Sequence, residues 1–227
     1  MSLEILSPEI IRLIALSTLD TLYMVALAVS FGTLVGLPLG IFLATGGKGE
    51  LFAVPALRSA LGFVANATRS TPFIILVVAI IPFTRLVAGT SIGTTAAVVP
   101  LTVAAIPFIA RLIEAAIREV DHGLVEAARA MGATPLQIVR KVLIPEALPG
   151  IVLGLTLAIV NLIGFSAIVG VVGGGGLGDL GIRYGYQRFM PDVMAAVVIV
   201  LIILVQGVQS AGDLLSRRLN KRNRQSS

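Results

Sequence analysis

Long runs without a charged residue constrain this chain more than any other feature. About 20 helical residues, at 1.5 Å rise each, cover a hydrocarbon core of about 30 Å. No charge occurs between Asp20 and Lys48, between Arg85 and Arg111, between Glu146 and Asp179, or between Asp192 and Asp213. A fifth run, from about Leu61 to Phe83, is broken only by Arg69. Unpaired backbone groups are costly in lipid, and these runs far exceed the roughly 9–11 residues of a barrel strand, so each reads as a helix. The expected fold class is an all-α membrane protein with five transmembrane helices. Composition agrees, since 56% of the 227 residues are hydrophobic and 13% charged, against roughly 45–50% and about 25% in soluble domains.

The same composition removes several chemistries. The chain has no Cys, hence no disulfide framework, thiolate nucleophile or Cys-based metal centre. With one His, a metal site is not expected, and no catalytic residue is assigned. The N-terminal stretch carries Glu4 and Glu9 without a basic leader, so a cleavable signal is not expected. Ser7-Pro8-Glu9 supplies an N-cap, an N1 proline and a first-turn acid. Residues 1–17 therefore hold either a short interfacial helix over Glu9–Ser17 or a lead-in to span one. The main membrane domain is expected over 18–213, followed by a basic tail over 214–227.

Basic residues select the cytoplasmic side. One side holds Lys48, Arg58, Arg111, Arg118, Arg129, Arg140, Lys141, Arg217, Arg218, Lys221, Arg222 and Arg224; the other holds Arg12, Arg85, Arg183 and Arg188. This asymmetry predicts an outside N-terminus, a cytoplasmic C-terminus and a cytoplasmic loop from Arg111 to Glu146. The net charge of +5 is then a matter of topology and anionic headgroups, and no nucleic-acid partner is expected.

Gly32, Gly36, Pro38 and Gly40 in span one, and Pro72 and Pro82 in span two, read either as ordinary close packing or as kinks in helices that must rock. Gly173, Gly175 and Gly178 satisfy a dinucleotide-binding pattern, yet they follow an apolar helix with no strand before it, so a cofactor is rejected. A tight re-entrant or surface loop suits them better. Residues 179–192 form the main outer loop, with Arg183, Tyr184, Tyr186, Gln187 and Arg188, and it is either a partner surface or a solvated connector. No phosphate-binding loop ending in Lys-Ser or Lys-Thr is present, which removes that route to ATP hydrolysis on this chain.

The cytoplasmic loop is the most informative stretch. After Asp121-His122-Gly123, Leu124, Ala128 and Met131 share one helical face, and Glu126 and Arg129 lie to the other side. Gly132 is placed as a C′ glycine, and Thr134-Pro135 as the N-cap and N1 of a second helix running to Ile144 before Pro145 and Pro149. Such a corner suits docking of a cytoplasmic partner, or a loop helix packed on the bundle's own inner face.

Glu126-Ala127-Ala128, three residues, Gly132, nine residues, then Val142-Leu143-Ile144-Pro145 resembles the E-A-A-x3-G-x9-I-x-L-P signature of binding-protein-dependent ABC importer permeases. Val142 stands for the usual Ile and Ile144 for the usual Leu. Arg69-Ser70-Thr71-Pro72-Phe73-Ile74-Ile75-Leu76, Ile81-Pro82-Phe83-Thr84-Arg85, Ala130-Met131-Gly132-Ala133-Thr134-Pro135 and the Gly173–Gly178 run with Gly185-Tyr186 are similar to the methionine permeases within that family. The likeness extends from about Thr18 to about Asp213.

The resemblance implies a type I ABC importer permease in the bacterial inner membrane. It implies a homodimer of this subunit, a cytoplasmic ABC ATPase dimer that binds ATP and Mg, and an external substrate-binding protein delivering methionine; no cofactor is expected on this chain. It further implies that Glu126, Ala127, Ala128, Arg129, Met131 and Gly132 belong to a coupling helix seated on the ATPase, with Pro145 closing the motif. Glu126 would act by charge and hydrogen bonding, and Gly132 by a conformation closed to residues with a Cβ.

Arg69 is the only charge inside a predicted span. A mid-membrane charge costs at least ~2.5 kcal/mol, so it reads either as a pathway or gate residue or as a snorkelling anchor. The competing functions fit less well. A secondary transporter would show internal repeats and a site inside the spans, and an intramembrane enzyme would need more than Glu114, Glu119, Asp121 and His122, which lack metal-ligand spacing. A purely structural subunit and a permease for another small polar solute are the remaining alternatives.

Overall fold

A computed structural model describes residues 7–219, and among them every regular element is a helix. The order is α1 (Pro8–Thr45), α2 (Pro55–Ser70), α3 (Phe73–Ala79), α4 (Ile81–Ala88), α5 (Thr94–Arg118), α6 (His122–Ala130), α7 (Pro135–Ile138), α8 (Ile144–Val171), α9 (Gly176–Leu180) and α10 (Pro191–Leu219). π-helical turns occupy Val139–Leu143 and Gly181–Gln187. Four stretches are long and apolar enough to cross a membrane: Pro8–Thr45, Thr94–Arg118, Pro135–Val171 and Pro191–Leu219. Pro55–Ser70 and Phe73–Ala79 reach that length only when counted together as one broken span, which brings the number among the described residues to five at most.

Three expectations about element bounds are corrected. Span two is not one helix from Leu61 to Phe83. It breaks at Pro72, whose ψ of 132° is extended; the proline also disfavours helical geometry at Thr71 and brings no N–H. Span three does not end at Arg111, because α5 continues to Arg118 and carries Arg111, Glu114 and Arg118 on its last turns. The second loop helix does not stop at Ile144 but runs on as part of Pro135–Val171, with Pro145 and Pro149 inside it. The π turn makes this continuation workable. Ile144 N–H reaches back five residues to the Val139 carbonyl, so the ladder is already widened where Pro145 lacks a donor. Glu9–Ser17 belongs to the uninterrupted α1, so it is the lead-in and not a separate helix. Of the basic tail, Arg217 and Arg218 lie in the last turn of α10; Lys221, Arg222 and Arg224 lie outside the described residues, as does Glu4.

Two compact units divide the chain. The first comprises the chain up to Phe31, Thr71–Ala105 and Ile159–Val208. Its core is Leu177, Leu180, Val193 and Val197, packed by Ile10, Leu13, Ile14 and residues of α10. The glycine run is packed into this unit, with Gly174 and Gly176 buried and Gly173, Gly175 and Gly178 half-buried: Thr21 Oγ1 accepts a 2.9 Å hydrogen bond from Leu177 N–H, and the end of α8 meets α9 backbone to backbone. A Cβ on Gly178 would stand 2.4 Å from the Ala167 carbonyl oxygen, and one on Gly170 2.3 Å from Asp179 N. The expected outer loop is largely helical, through α9 and the π turn that follows.

The second unit comprises Gly32–Ser70, Ile106–Ala158 and the chain from Gln209. It contains the end of α1, α2, the last part of α5, and α6 to the start of α8. Ser216 donates to the Pro149 carbonyl at 3.1 Å, tying the end of α10 to the proline-bearing start of α8.

Candidate functional site

The local sequence folds α6 as an isolated helix with both ends fixed. Asp121 is its N-cap, accepting from Gly123 N–H at 2.8 Å. At the other end Gly132 takes φ +78°. Gly132 N–H bonds the Arg129 carbonyl at 2.9 Å and Ala133 N–H bonds the Ala128 carbonyl at 3.0 Å, the paired bonds of a Schellman cap. No atom lies within 4 Å of where a Gly132 Cβ would stand, so the backbone angle and not space demands glycine. Thr134 then opens α7 with a capping box: its side chain accepts from Gln137 N–H while Gln137 accepts from Thr134 N–H. The corner read from Gly132-Ala133-Thr134-Pro135 is therefore present in detail.

Within α6 only Ala128 is buried; Glu126, Ala127 and Arg129 are exposed. The apolar face expected from Leu124, Ala128 and Met131 is not packed as a unit, because Leu124 is exposed and Met131 is 81% exposed. Leu136 on α7 is exposed as well. A cleft of about 430 Å³ opens beside α6, with Lys48 and Glu50 on one side and His122, Glu126 and Arg129 on the other. Pro145 is exposed, two residues beyond the π segment.

Glu114 was not singled out as a structural centre by the sequence, and it is one. It is 6% exposed, with Arg111 at 2.5 Å, Arg118 at 2.9 Å and Arg58 at 3.6 Å. Arg58 Nε also donates to the Leu43 carbonyl at 2.8 Å, and Arg111 to the Gly62 carbonyl at 2.8 Å. One carboxylate thus gathers α2 and α5 and, through Leu43, the end of α1. Arg58, Arg111 and Arg118, counted in the sequence only for the side of the membrane they mark, therefore also hold a buried carboxylate. The signal was in the sequence: Arg111, Glu114 and Arg118 are spaced i, i+3 and i+7, which stacks them on one helical face.

Arg69 sits at the exposed C-terminal end of α2, with its guanidinium 5.7 Å from the centre of the Phe108 ring. That distance is within cation–π range. Neither Arg69 nor Glu114 belongs to a metal-ligating cluster; among the described residues no group of three His, Asp or Glu side chains is placed to hold a cation.

Comparison with known proteins gives this geometry its setting. Residues 36–225 match the family described as the binding-protein-dependent transport system inner membrane component. The chain is 57% identical over 210 residues to the probable D-methionine transport system permease protein MetI of Vibrio cholerae, covering 92% of this chain and 93% of the relative. It is 48% identical to the corresponding Pasteurella multocida protein, covering 96% and 100%. Among solved structures, an inward facing conformation of the MetNI methionine ABC transporter aligns with a TM-score of 0.93 and 48% identity, covering 95% of this chain and all of the other. The chain belongs to the inner membrane components of binding-protein-dependent transport systems.

Proposed function

We propose that this chain is the permease subunit of a methionine ABC importer, paired with a second copy and driven by a separate ATPase docked on α6. The substrate rests on the likeness to the D-methionine permeases and the MetNI transporter. One observation carries the docking: α6 is capped at both ends yet buries only Ala128 against its own chain. A helix with so little internal packing draws its use from a surface outside the chain. Glu126, Ala127, Arg129 and Met131 form the contact face, and Ala128 holds the helix to its own unit. Gly132 sets the corner through which displacement passes into the continuous Pro135–Val171 helix, with Pro145 just past the π turn. ATP and Mg bind on the partner ATPase, and an external binding protein delivers substrate. The basic-residue asymmetry orients the chain with α6 in the cytoplasm and the N-terminus outside.

Arg69 is assigned to the pathway or its gate. A guanidinium held on a ring face still offers its edge to a carboxylate. The test is uptake of labelled methionine by the complex in sealed vesicles with internal or external ATP. Uptake that requires ATP on the cytoplasmic face and resists unlabelled alanine supports the reading. ATP-dependent uptake of a different solute would retain the importer and reject methionine.

A further inference from the structure

The centre around Glu114 carries more positive charge than its one carboxylate can balance. Three guanidinium groups, of Arg58, Arg111 and Arg118, share that carboxylate, which leaves a net charge of +2, and no other carboxylate pairs with them among the described residues. The N-terminus of α2 adds to the excess: Arg58 stands in its first turn, where the helix end is already positive, and no acid accompanies it. Charges held partly out of water cost free energy unless they are paired.

A cavity of about 350 Å³ opens on this centre, with Arg58, Ser59, Phe63, Asn66, Arg111 and Glu114 in its wall. Its size falls within the range of small-ligand sites. The signs inside it are ordered. Glu114 lies at the back with its side chain 8% exposed, whereas Arg58 and Arg111 stand nearer the opening at 33% and 24%. Arg118 engages the same carboxylate at 2.9 Å from the side of the α6 cleft, so Glu114 cannot neutralise the pair in front of it. Backbone carbonyls hold that pair in place, Leu43 accepting from Arg58 Nε and Gly62 from Arg111 Nη2, each at 2.8 Å. Donors are left over: among the described residues Arg58 Nη1 has no acceptor, and Arg111 Nε is buried without one. Ser59 and Asn66, both exposed, add a hydroxyl and an amide. The neighbouring surface of α2 is apolar, with Phe63 74% and Val64 59% exposed. Fixed guanidinium groups beside exposed apolar side chains, on the basic end of a membrane bundle, match a phospholipid: the phosphate meets the cations and the acyl chains meet the apolar lip.

We propose that this cavity binds a phosphate group through Arg58 and Arg111, and that the phosphate belongs to the headgroup of an anionic phospholipid. The site goes beyond the importer reading and does not depend on it, since neither ATP nor a transported solute enters the test. The experiment titrates the full chain, delipidated in neutral detergent, with phosphatidylglycerol, using phosphatidylcholine of the same acyl chains as the control and counting retained lipid by native mass spectrometry. The expected result is retention of phosphatidylglycerol at least tenfold tighter than of phosphatidylcholine. Arg58→Gln removes one cation and weakens that retention at least tenfold. Because Arg58 also ties the end of α1 to α5, Ser59→Asp is the second variant: it places a carboxylate in the cavity at an exposed position and leaves the arginine contacts intact. It weakens retention by a similar factor and raises the melting temperature of the lipid-free chain. Equal retention of the two lipids, or unchanged phosphatidylglycerol retention in both variants, overturns the proposal. Added inorganic phosphate separates the two sources of the group. Bound lipid that stays in place at millimolar phosphate supports the headgroup, whereas its displacement keeps a phosphate site and overturns the assignment to lipid.

Discussion

Two glycine turns in this chain solve opposite problems. At Gly132 the backbone is left-handed and the space around it is empty. At Gly178 the helix is ordinary, and the backbone of Ala167 stands where a Cβ would be. The first glycine aims a helix that its own chain hardly covers; the second lets two backbones touch in a core. On the proposed function the first glycine serves a working surface, whereas the second belongs to the fold.

The comparison separates substitutions that chiefly hurt folding from those that chiefly hurt action. Gly178→Ala forces a Cβ into the Ala167 backbone. A cost of about 3 kcal/mol or more is expected, since overpacking by side chains alone costs about 1–3 kcal/mol, and this contact cannot move by rotamer change. It is checked by thermal unfolding in detergent and by yield of inserted protein. Glu114→Gln measures the loss of a buried ion-pair centre in the unit that carries Gly132. Leaving three arginines around a neutral amide should cost about 3 kcal/mol, the low end for broken buried pairs because Arg58 and Arg118 reach solvent. Gly132→Ala and Gly132→Leu should cost the same, about 1 kcal/mol each, because strain and not volume is at stake. Gly132→Asn should recover part of it, since Asn tolerates the left-handed region. A much larger loss for Leu than for Ala would break the distinction between the two turns. Thr134→Ala removes one half of the capping box and should cost about 1 kcal/mol or less, read by the same unfolding assay.

The legible parts of the fold were those set by local chemistry. Charge-free runs located the spans, and the sequence Gly132-Ala133-Thr134-Pro135 contained its own cap chemistry, so the corner appeared where expected, while the capping box that Gln137 completes was not read. Prolines misled in one place and informed in another. Pro72 broke span two, while Pro145 and Pro149 ended nothing, because the preceding π turn depends on which carbonyls are shared and not on residue type. Glu114 was hidden because charges were sorted by side of the membrane. A carboxylate with three arginines from two helices needs distances that only the folded chain supplies, although the Arg111–Glu114–Arg118 spacing hinted at part of it. The glycine run was read as a loop in want of small residues; its burial against α8 depends on contacts between distant segments.

The central claim is that α6 and its corner transmit ATP hydrolysis to the spans. The most direct test is the ratio of solute taken up to ATP hydrolysed by the reconstituted complex carrying Gly132→Ala or Glu126→Lys. The account predicts normal insertion and continued ATP hydrolysis with a ratio reduced at least tenfold for Glu126→Lys and several-fold for Gly132→Ala. An unchanged ratio in both variants would contradict it.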